Sequence, residues 1–489
     1  MNKILLLLAF AQFLTLSLSF AAEAPVYVKQ TLNLPGELLH LAVEDMDGDG
    51  LKDIVAICLY TAKGKPPARC LSVFYQRRGT GFQTSPDESW MLDPEASVFD
   101  VGDVQRSGKK AIVYMRHDGL YAYLPNNHAY KSRPVLLVKA ESVFNHADPL
   151  DLPRWPLVLK DNGKDAGFLL VPGVTRLFIR QAAPGYKPAG VVPLFTRTTF
   201  MEDVMDPARL TVLNKVPSVS AVPFNSPSSE DLFITWEDNA DVYLRKGDGF
   251  SESPNIRFRP GLMELKRGIL DNAVVEPIDL RGDGTNDLVV TKMTGGLAQA
   301  KSLVFIYQRS PGASFPAKPT QTIVSEGVIG PEFLDMNGDK RLDLILPTVK
   351  MGINNVINMV TSKTVNMTIG IYLQGKDGRF QDRPDKEKQV SFKLDIANIG
   401  KNPKPVMVFG KFSKGPGYGL AVAAKEDRVT LYMPDRYSIL ADNPALTFKV
   451  PAPTELEAID LNGDGIDDLV MSYKRNKSEA KTINIFLSK

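Results

Sequence analysis

Asp45-Met46-Asp47-Gly48-Asp49-Gly50-Leu51-Lys52-Asp53 runs directly into the apolar stretch Ile54-Val55-Ala56-Ile57. Carboxylates packed this closely repel one another unless a cation neutralises them. The interspersed glycines allow a turn tight enough to aim those carboxylates at a common centre. The stretch from Ile54 to Ile57 is short, aliphatic and without helical period, which reads as a strand buried on both faces. The pattern returns as Asp279-Leu280-Arg281-Gly282-Asp283-Gly284-Thr285-Asn286-Asp287, as Asp335-Met336-Asn337-Gly338-Asp339-Lys340-Arg341-Leu342-Asp343 and as Asp460-Leu461-Asn462-Gly463-Asp464-Gly465-Ile466-Asp467-Asp468.

Each loop is entered from a short apolar segment: 39–43, 273–275, 331–334 and 456–459. A third apolar element with an aromatic near its end comes later, at 71–75, 303–307, 369–372 and 483–486. After three of these comes a turn of glycine and an aromatic, at 79–82, 312–315 and 378–380, and a fourth strand is expected beyond it. The same unit, with its acids worn away, is legible around 103–112, 161–170, 225–233 and 411–422. Those copies carry their third elements at 120–123, 176–178, 242–243 and 429–432, followed by Tyr130, Tyr186, Phe250 and Tyr437. Eight units at a spacing of roughly 60 residues belong to the repeat regime. Four antiparallel strands per unit, arrayed radially, make an all-β propeller. The last unit stops after its third strand, and 26–32 offers a spare strand to complete it and close the ring. Eight blades are expected, with seven as the alternative if one worn copy is irregular.

Bulk properties narrow the function. The 489 residues carry a formal net charge of +2, which offers no electrostatic case for nucleic acid or an anionic membrane. Residues 1–21 read as a secretory leader with a short basic start and an apolar run, leaving 25–489 as a single domain. No other segment is long and apolar enough to span a bilayer. The product is expected to be periplasmic or extracellular, and monomeric. Cys58 and Cys70 are the only cysteines, and the sequence leaves open a disulfide or two buried thiols. Four histidines, none at ligand spacing, argue against zinc.

The loop chemistry points to a hard cation. Calcium takes about six to eight oxygens at roughly 2.3–2.6 Å and tolerates irregular geometry. Positions one, three and five of each loop offer side-chain oxygens, position seven a backbone carbonyl and position nine a carboxylate. The candidate ligands are Asp45, Asp47, Asp49, Leu51 and Asp53 in the first loop and Asp279, Asp283, Thr285 and Asp287 in the second. They are Asp335, Asn337, Asp339, Arg341 and Asp343 in the third and Asp460, Asn462, Asp464, Ile466 and Asp468 in the fourth. Arg281 stands at position three of the second loop, where its guanidinium could take the cation's place, and Lys340 replaces the position-six glycine of the third. An EF-hand would need Glu at position twelve, where this chain has Ala56, Val290, Leu346 and Met471. Arg281-Gly282-Asp283 spells a cell-attachment tripeptide, but Asp283 is expected to face a metal.

These loops, with the apolar runs after them, resemble FG-GAP/VCBS repeats, and the resemblance covers nearly all of the chain beyond the leader. That family builds the calcium-binding propeller of integrin α subunits, many secreted bacterial proteins, some lectins and some polysaccharide lyases. The resemblance implies about two to four structural calcium ions on the face carrying the first interstrand loops, none of them in the worn copies. It fixes function poorly. A non-enzymatic binding or scaffold module for a protein or glycan is expected, with a polysaccharide lyase or hydrolase as the alternative. The long segments 141–156, 196–209 and 351–367 should open on the face opposite the metals and carry binding. Arg154 and Trp155 could contact a ligand there, although a packed Trp is the plainer reading. His117 with Asp118, and His146 with Asp148 and Asp151, are acid–base possibilities that read more simply as surface turns.

Overall fold

Eight four-stranded antiparallel sheets account for most of the chain in a computed structural model. The structure describes residues 25–489 apart from 127–128, 131–132, 162–163, 203–209, 227–228, 264–269, 296–300, 311–313, 327–329, 350–363, 394–405, 426, 435–438 and 475–477. Blade one is Glu37–Glu44, Asp53–Tyr60, Ala68–Phe74 and Glu88–Met91. Blade two is Val98–Gly102, Ala111–Arg116, Gly119–Tyr123 and Val135–Lys139, and blade three is Val158–Asp161, Lys164–Pro172, Arg176–Gln181 and Pro188–Pro193. Blades four to seven occupy 218–258, 270–326, 332–393 and 407–449 in the same order. Blade eight takes three strands from Glu455–Ile459, Asp468–Ser472 and Thr482–Ser488, and its fourth from the N-terminal strand Tyr27–Asn33. That strand pairs in unbroken register, Tyr27 opposite Ser488 through to Asn33 opposite Thr482. The eight-bladed reading holds, as does closure by the N-terminal strand.

The two-residue period of each second strand explains why the sheets form a ring. Ile54, Ala56 and Cys58 face blade eight, where they pack with Val470, Ile483 and Ile485. Val55 and Ile57, between them in sequence, face blade two and meet Phe99, Ile112 and Tyr114. In blade five, Leu288 and Val290 pack toward blade four while Val289 packs toward Leu344 of blade six. In blade seven, Leu420 and Val422 face blade six and Ala421 faces blade eight. A strand buried on both faces therefore needs a neighbour on each side, and only a closed circle supplies one to every blade.

Polar clamps fix the spacing between blades. The glycine–aromatic turn of one blade is held by a side chain from the fourth strand of the blade before it. Gln30 of blade eight accepts the Phe82 N–H at 2.9 Å and donates to the Thr80 carbonyl at 2.7 Å. Gln321 of blade five accepts the Phe380 N–H at 3.0 Å and donates to its carbonyl at 2.7 Å. In blade two, where Tyr130 follows a segment without glycine, Glu88 of blade one accepts the Tyr130 N–H at 2.8 Å. A peptide group held at both its N–H and C=O keeps a surface turn satisfied.

The connectors depart from simple loops. Residues 153–155 lie parallel to the first strand of blade two, with Phe99 N–H on the Pro153 carbonyl at 3.1 Å and Trp155 N–H on the Phe99 carbonyl at 3.0 Å. Trp155 is buried edge-on against Phe144, so it packs, and Arg154 pairs with Asp100 at 2.9 Å and Glu44 at 3.2 Å. The connector expected at 196–209 is a two-stranded ribbon, Arg197–Glu202 with Leu210–Lys215. Its tip at 203–209, most of the 351–367 insertion, Tyr437 and the leader lie outside the described residues. Cys58 and Cys70 are directly opposed in the second and third strands of blade one as buried, free thiols. Among the described residues, no helix is long and apolar enough to cross a membrane.

Gln321→Ala removes both clamp bonds and leaves a peptide unit of the neighbouring blade unpaired. The substitution should cost about 1–2 kcal/mol, read as a lower urea midpoint. An unchanged midpoint would mean that apolar packing alone sets the blade spacing.

Candidate metal centres

Each acidic loop first solves its own charge problem with backbone N–H groups. Asp45 accepts from Gly48 at 2.8 Å and from Gly50 at 3.0 Å, one bond to each oxygen. Asp47 accepts from Asp49 N–H at 3.2 Å, and Asp49 from Leu51 N–H at 2.8 Å. The third and fourth loops repeat the scheme, with Asp335 accepting from Gly338 and Lys340, and Asp460 from Gly463 and Gly465. This curvature requires left-handed backbone at positions four and six. Gly48, Gly50, Gly463 and Gly465 supply it with φ of 83°, 88°, 76° and 85°. Lys340 is forced into the same region, at φ 70°.

Position nine does a different job. Asp53 is buried, and its two oxygens accept the Met46 and Gln76 N–H groups, each at 2.8 Å. One carboxylate thus joins the start of the loop to the chain leaving the third strand. Asp343 repeats this with Met336 at 2.8 Å and Gln374 at 2.9 Å, and Asp468 with Leu461 at 2.8 Å and Ser488 at 2.6 Å. Asp287 accepts from Arg309 N–H at 2.7 Å, but its other oxygen is buried without a hydrogen-bond partner among the described residues.

The same bracket survives in blade four, where the sequence shows no acidic loop. Asp231 accepts from Phe224 N–H at 3.1 Å and from Arg245 N–H at 2.7 Å. Sequence reasoning missed Asp231. A signal was present, because Asp231 immediately precedes Leu232-Phe233-Ile234, as Asp53, Asp287, Asp343 and Asp468 precede their own apolar runs. In blade two the opposite half persists: Asp103 accepts from Gln105 and Gly108 N–H, and position nine is Ala111.

The four loops differ as cation sites. In the first, carboxylate oxygens of Asp45, Asp47 and Asp49 lie within 4.8 Å of one another, and among the described residues no other three acids, His or Cys do so. This donor set fits a hard divalent ion, with the buried Asp53 at its base. In the fourth, Asn462 stands between Asp460 and Asp464, its oxygen accepting the Asp464 N–H at 2.9 Å. Ser488, which sequence reasoning also missed, places its hydroxyl 3.1 Å from Asp464 and 2.8 Å from Asp468, able to donate its one proton to either, and so ties the C-terminal strand into that loop. An all-oxygen set fits calcium there too. In the second loop the Arg281 guanidinium lies 3.4 Å from Asp283 and 3.3 Å from Asp287, already supplying positive charge. In the third, Arg341 turns its guanidinium back onto Asp339, and Asn337 donates to the same oxygen at 3.1 Å.

Burial sets the titration of the bracket. It pushes the Asp53 carboxyl up to about 7 and those of Asp287, Asp343 and Asp468 to about 6, against the pull of the N–H donors. The charges of Asp47 and Asp49 add to the rise at Asp53.

Of the acid–base possibilities, His117 lies 3.6 Å from Glu95, beside Arg116, which pairs with Glu95 at 2.6 Å and Asp118 at 3.2 Å. Asp151 is taken up by His40 at 2.6 Å.

No family model matches the chain, and no curated protein sequence matches it. Solved structures similar to it include BBS1N in complex with ARL6DN, at 10% identity and a TM-score of 0.37, covering 95% of this chain and 98% of that one. The V. cholerae biofilm matrix protein Bap1 is similar at 11% identity and a TM-score of 0.30, covering 92% of this chain and 76% of that one. Likeness at these scores carries no argument about ligand or partner, and the architecture stands on the strand pairing itself.

The loops make two outcomes testable. The four bracket carboxyls hold a proton more tightly folded than unfolded, where Asp titrates near ~3.9. Their stabilisation by protonation is complete below about pH 4 and lost as pH rises through about 6 to 7. Chelated protein should therefore melt higher near pH 5 than near pH 8, and calcium, which favours the ionised form, should narrow that gap; a gap indifferent to calcium would separate the bracket from any metal. Lys340→Gly should stabilise the metal-free protein by about 1 kcal/mol and raise calcium uptake at the third loop, read by melting and calorimetric titration.

Proposed function

We propose that this chain is an exported, calcium-stabilised propeller of FG-GAP/VCBS type that binds a protein or glycan partner without chemistry. The observation that carries the proposal is the bracket of buried Asp53, Asp343 and Asp468, whose oxygens hold the backbone at the loop and at or just beyond the end of the third strand. A cation bound above such a bracket fastens strands and leaves the rest of the surface free for recognition. The leader read in the sequence would carry the chain to a calcium-rich, oxidising compartment, periplasmic or extracellular.

Antiparallel alternation places the second-to-third hairpins and the blade connectors at the end opposite the metal loops. Rigid rings that present loops at one end are suited to binding. One observation favours the alternative of a polysaccharide lyase or hydrolase. Arg116, His117 and Asp118 in a hairpin of blade two meet Glu95 from the preceding connector, and the Tyr121 hydroxyl donates to Asp118 at 3.0 Å. A base, an acid and a cation at one surface point are the ingredients of proton transfer beside an anionic sugar.

Chelation should lower the melting temperature by a few degrees, and elemental analysis should find bound calcium in the untreated protein. No shift and no calcium would remove the metal from the proposal. A glycan array paired with reducing-end and unsaturated-product assays decides between the two readings. Turnover of any polysaccharide, abolished in His117→Ala, would replace the binding module with the enzyme.

A further inference from the structure

We propose that the cleft between the fourth strand of blade two and the third strand of blade three docks an acidic peptide segment through one large apolar side chain. This deepens the binding-module reading and rests on it. The cleft has a volume of about 270 Å³ and lies partly at the end opposite the metal loops. Its floor is Val138, Ala140 and Phe178 with Val174 at the rim, and its walls carry Lys139, Arg176 and Arg180 against a single acid, Glu141.

Strand alternation and two register slips frame it, one between Leu136 and Val138 and one between Ile179 and Arg180. In Arg176–Gln181, Leu177 and Ile179 are fully buried, so Arg176, Phe178 and Arg180 take the other face. The strand that should cover that face, Val135–Lys139, slips register between Leu136 and Val138. Leu136, beside the slip, is 45% exposed, and Val174 in the cleft lining is 48% exposed. Aliphatic side chains at such exposure mark a surface that gains by being covered.

Charge selects the occupant. The Arg180 Nε is buried without an acceptor among the described residues. Of the charged side chains lining the cleft, Lys139, Arg176 and Arg180 are positive and Glu141 alone is negative. An acidic partner is steered to it and pairs at the walls. The apolar floor argues for a peptide. A sulfated or uronate glycan would use the cations and leave the floor with nothing to bury, whereas a Leu or Phe flanked by carboxylates satisfies both. The volume falls just below the range of about 300–1,000 Å³ that encloses a whole small ligand, and suits an anchoring side chain. The chain's own residues 1–24 contain one Lys and one Glu and do not supply such a segment.

The test uses the full chain with calcium and fluorescent twelve-residue peptides, read by polarisation. The probes are a Glu-rich peptide with a central Phe, the same peptide with Gly for Phe, a Lys-rich peptide with the Phe, and a heparin oligosaccharide. The acidic Phe peptide should bind, and losing either the Phe or the acids should weaken it about tenfold or more. Arg176→Glu with Arg180→Glu should weaken it as much without lowering the melting temperature, while Lys63→Glu on an exposed loop of blade one leaves it unchanged. Equal binding to the double variant, no binding at all, or heparin outbinding the peptide in a manner lost in the double variant overturns the proposal. A partner from the glycan array that binds wild type and double variant alike leaves the binding-module reading standing and removes only the cleft.

Discussion

A carboxylate buried at the first residue of a blade's second strand holds that blade in register. Asp53, Asp343 and Asp468 each use both oxygens on backbone N–H groups, one at the loop and one at or just beyond the end of the third strand. Burying a charge this deeply is unfavourable unless hydrogen bonds or a cation replace the lost water. The N–H pair supplies part of that replacement, and burial still holds these carboxyls above the usual carboxylate range. An ion above the first or fourth loop would supply the rest.

Bracket and acidic loop are separable. Blade four keeps the bracket, through Asp231, without the acidic loop. Blade two keeps the position-one turn, through Asp103, without the bracket. Blade five keeps the acidic loop and half of the bracket, the Asp287 bond to Arg309 N–H, and places the Arg281 guanidinium among the acids. Protein cations and metal ions answer the same electrostatic demand. A repeat array can exchange one for the other blade by blade, because each blade packs only against its two neighbours.

Closure carries the rest of the stability. Side chains alternate between two inter-blade cores, so no blade is satisfied alone, and the seam between blades eight and one is as apolar as any other. The N-terminal strand finishes blade eight and also brings Gln30 to the turn of blade one. Register slips in several blades, and beside the slip between Leu136 and Val138 a cleft opens to solvent next to Arg176 and Arg180.

The repeat, the strand order, the blade count and the closing strand were legible in the sequence, because acid spacing and aliphatic runs report local geometry. The turn geometry of the acidic loops was legible for the same reason, and so was the position of Lys340 in a left-handed turn. Other features were not. Gln30, Gln321 and Glu88 clamp turns about 40 to 60 residues away. Ser488 reaches the fourth loop only because its strand lies beside it, and Asp231 shows its role only through N–H groups that folding brings to it. Arg154 and Trp155, read as possible ligand contacts, are drawn beside the first strand of blade two by backbone pairing. Local chemistry within nine residues determined what each blade is. Which side chains join blades, and where the wall between two of them is left open, depended on contacts that exist only once the ring has closed.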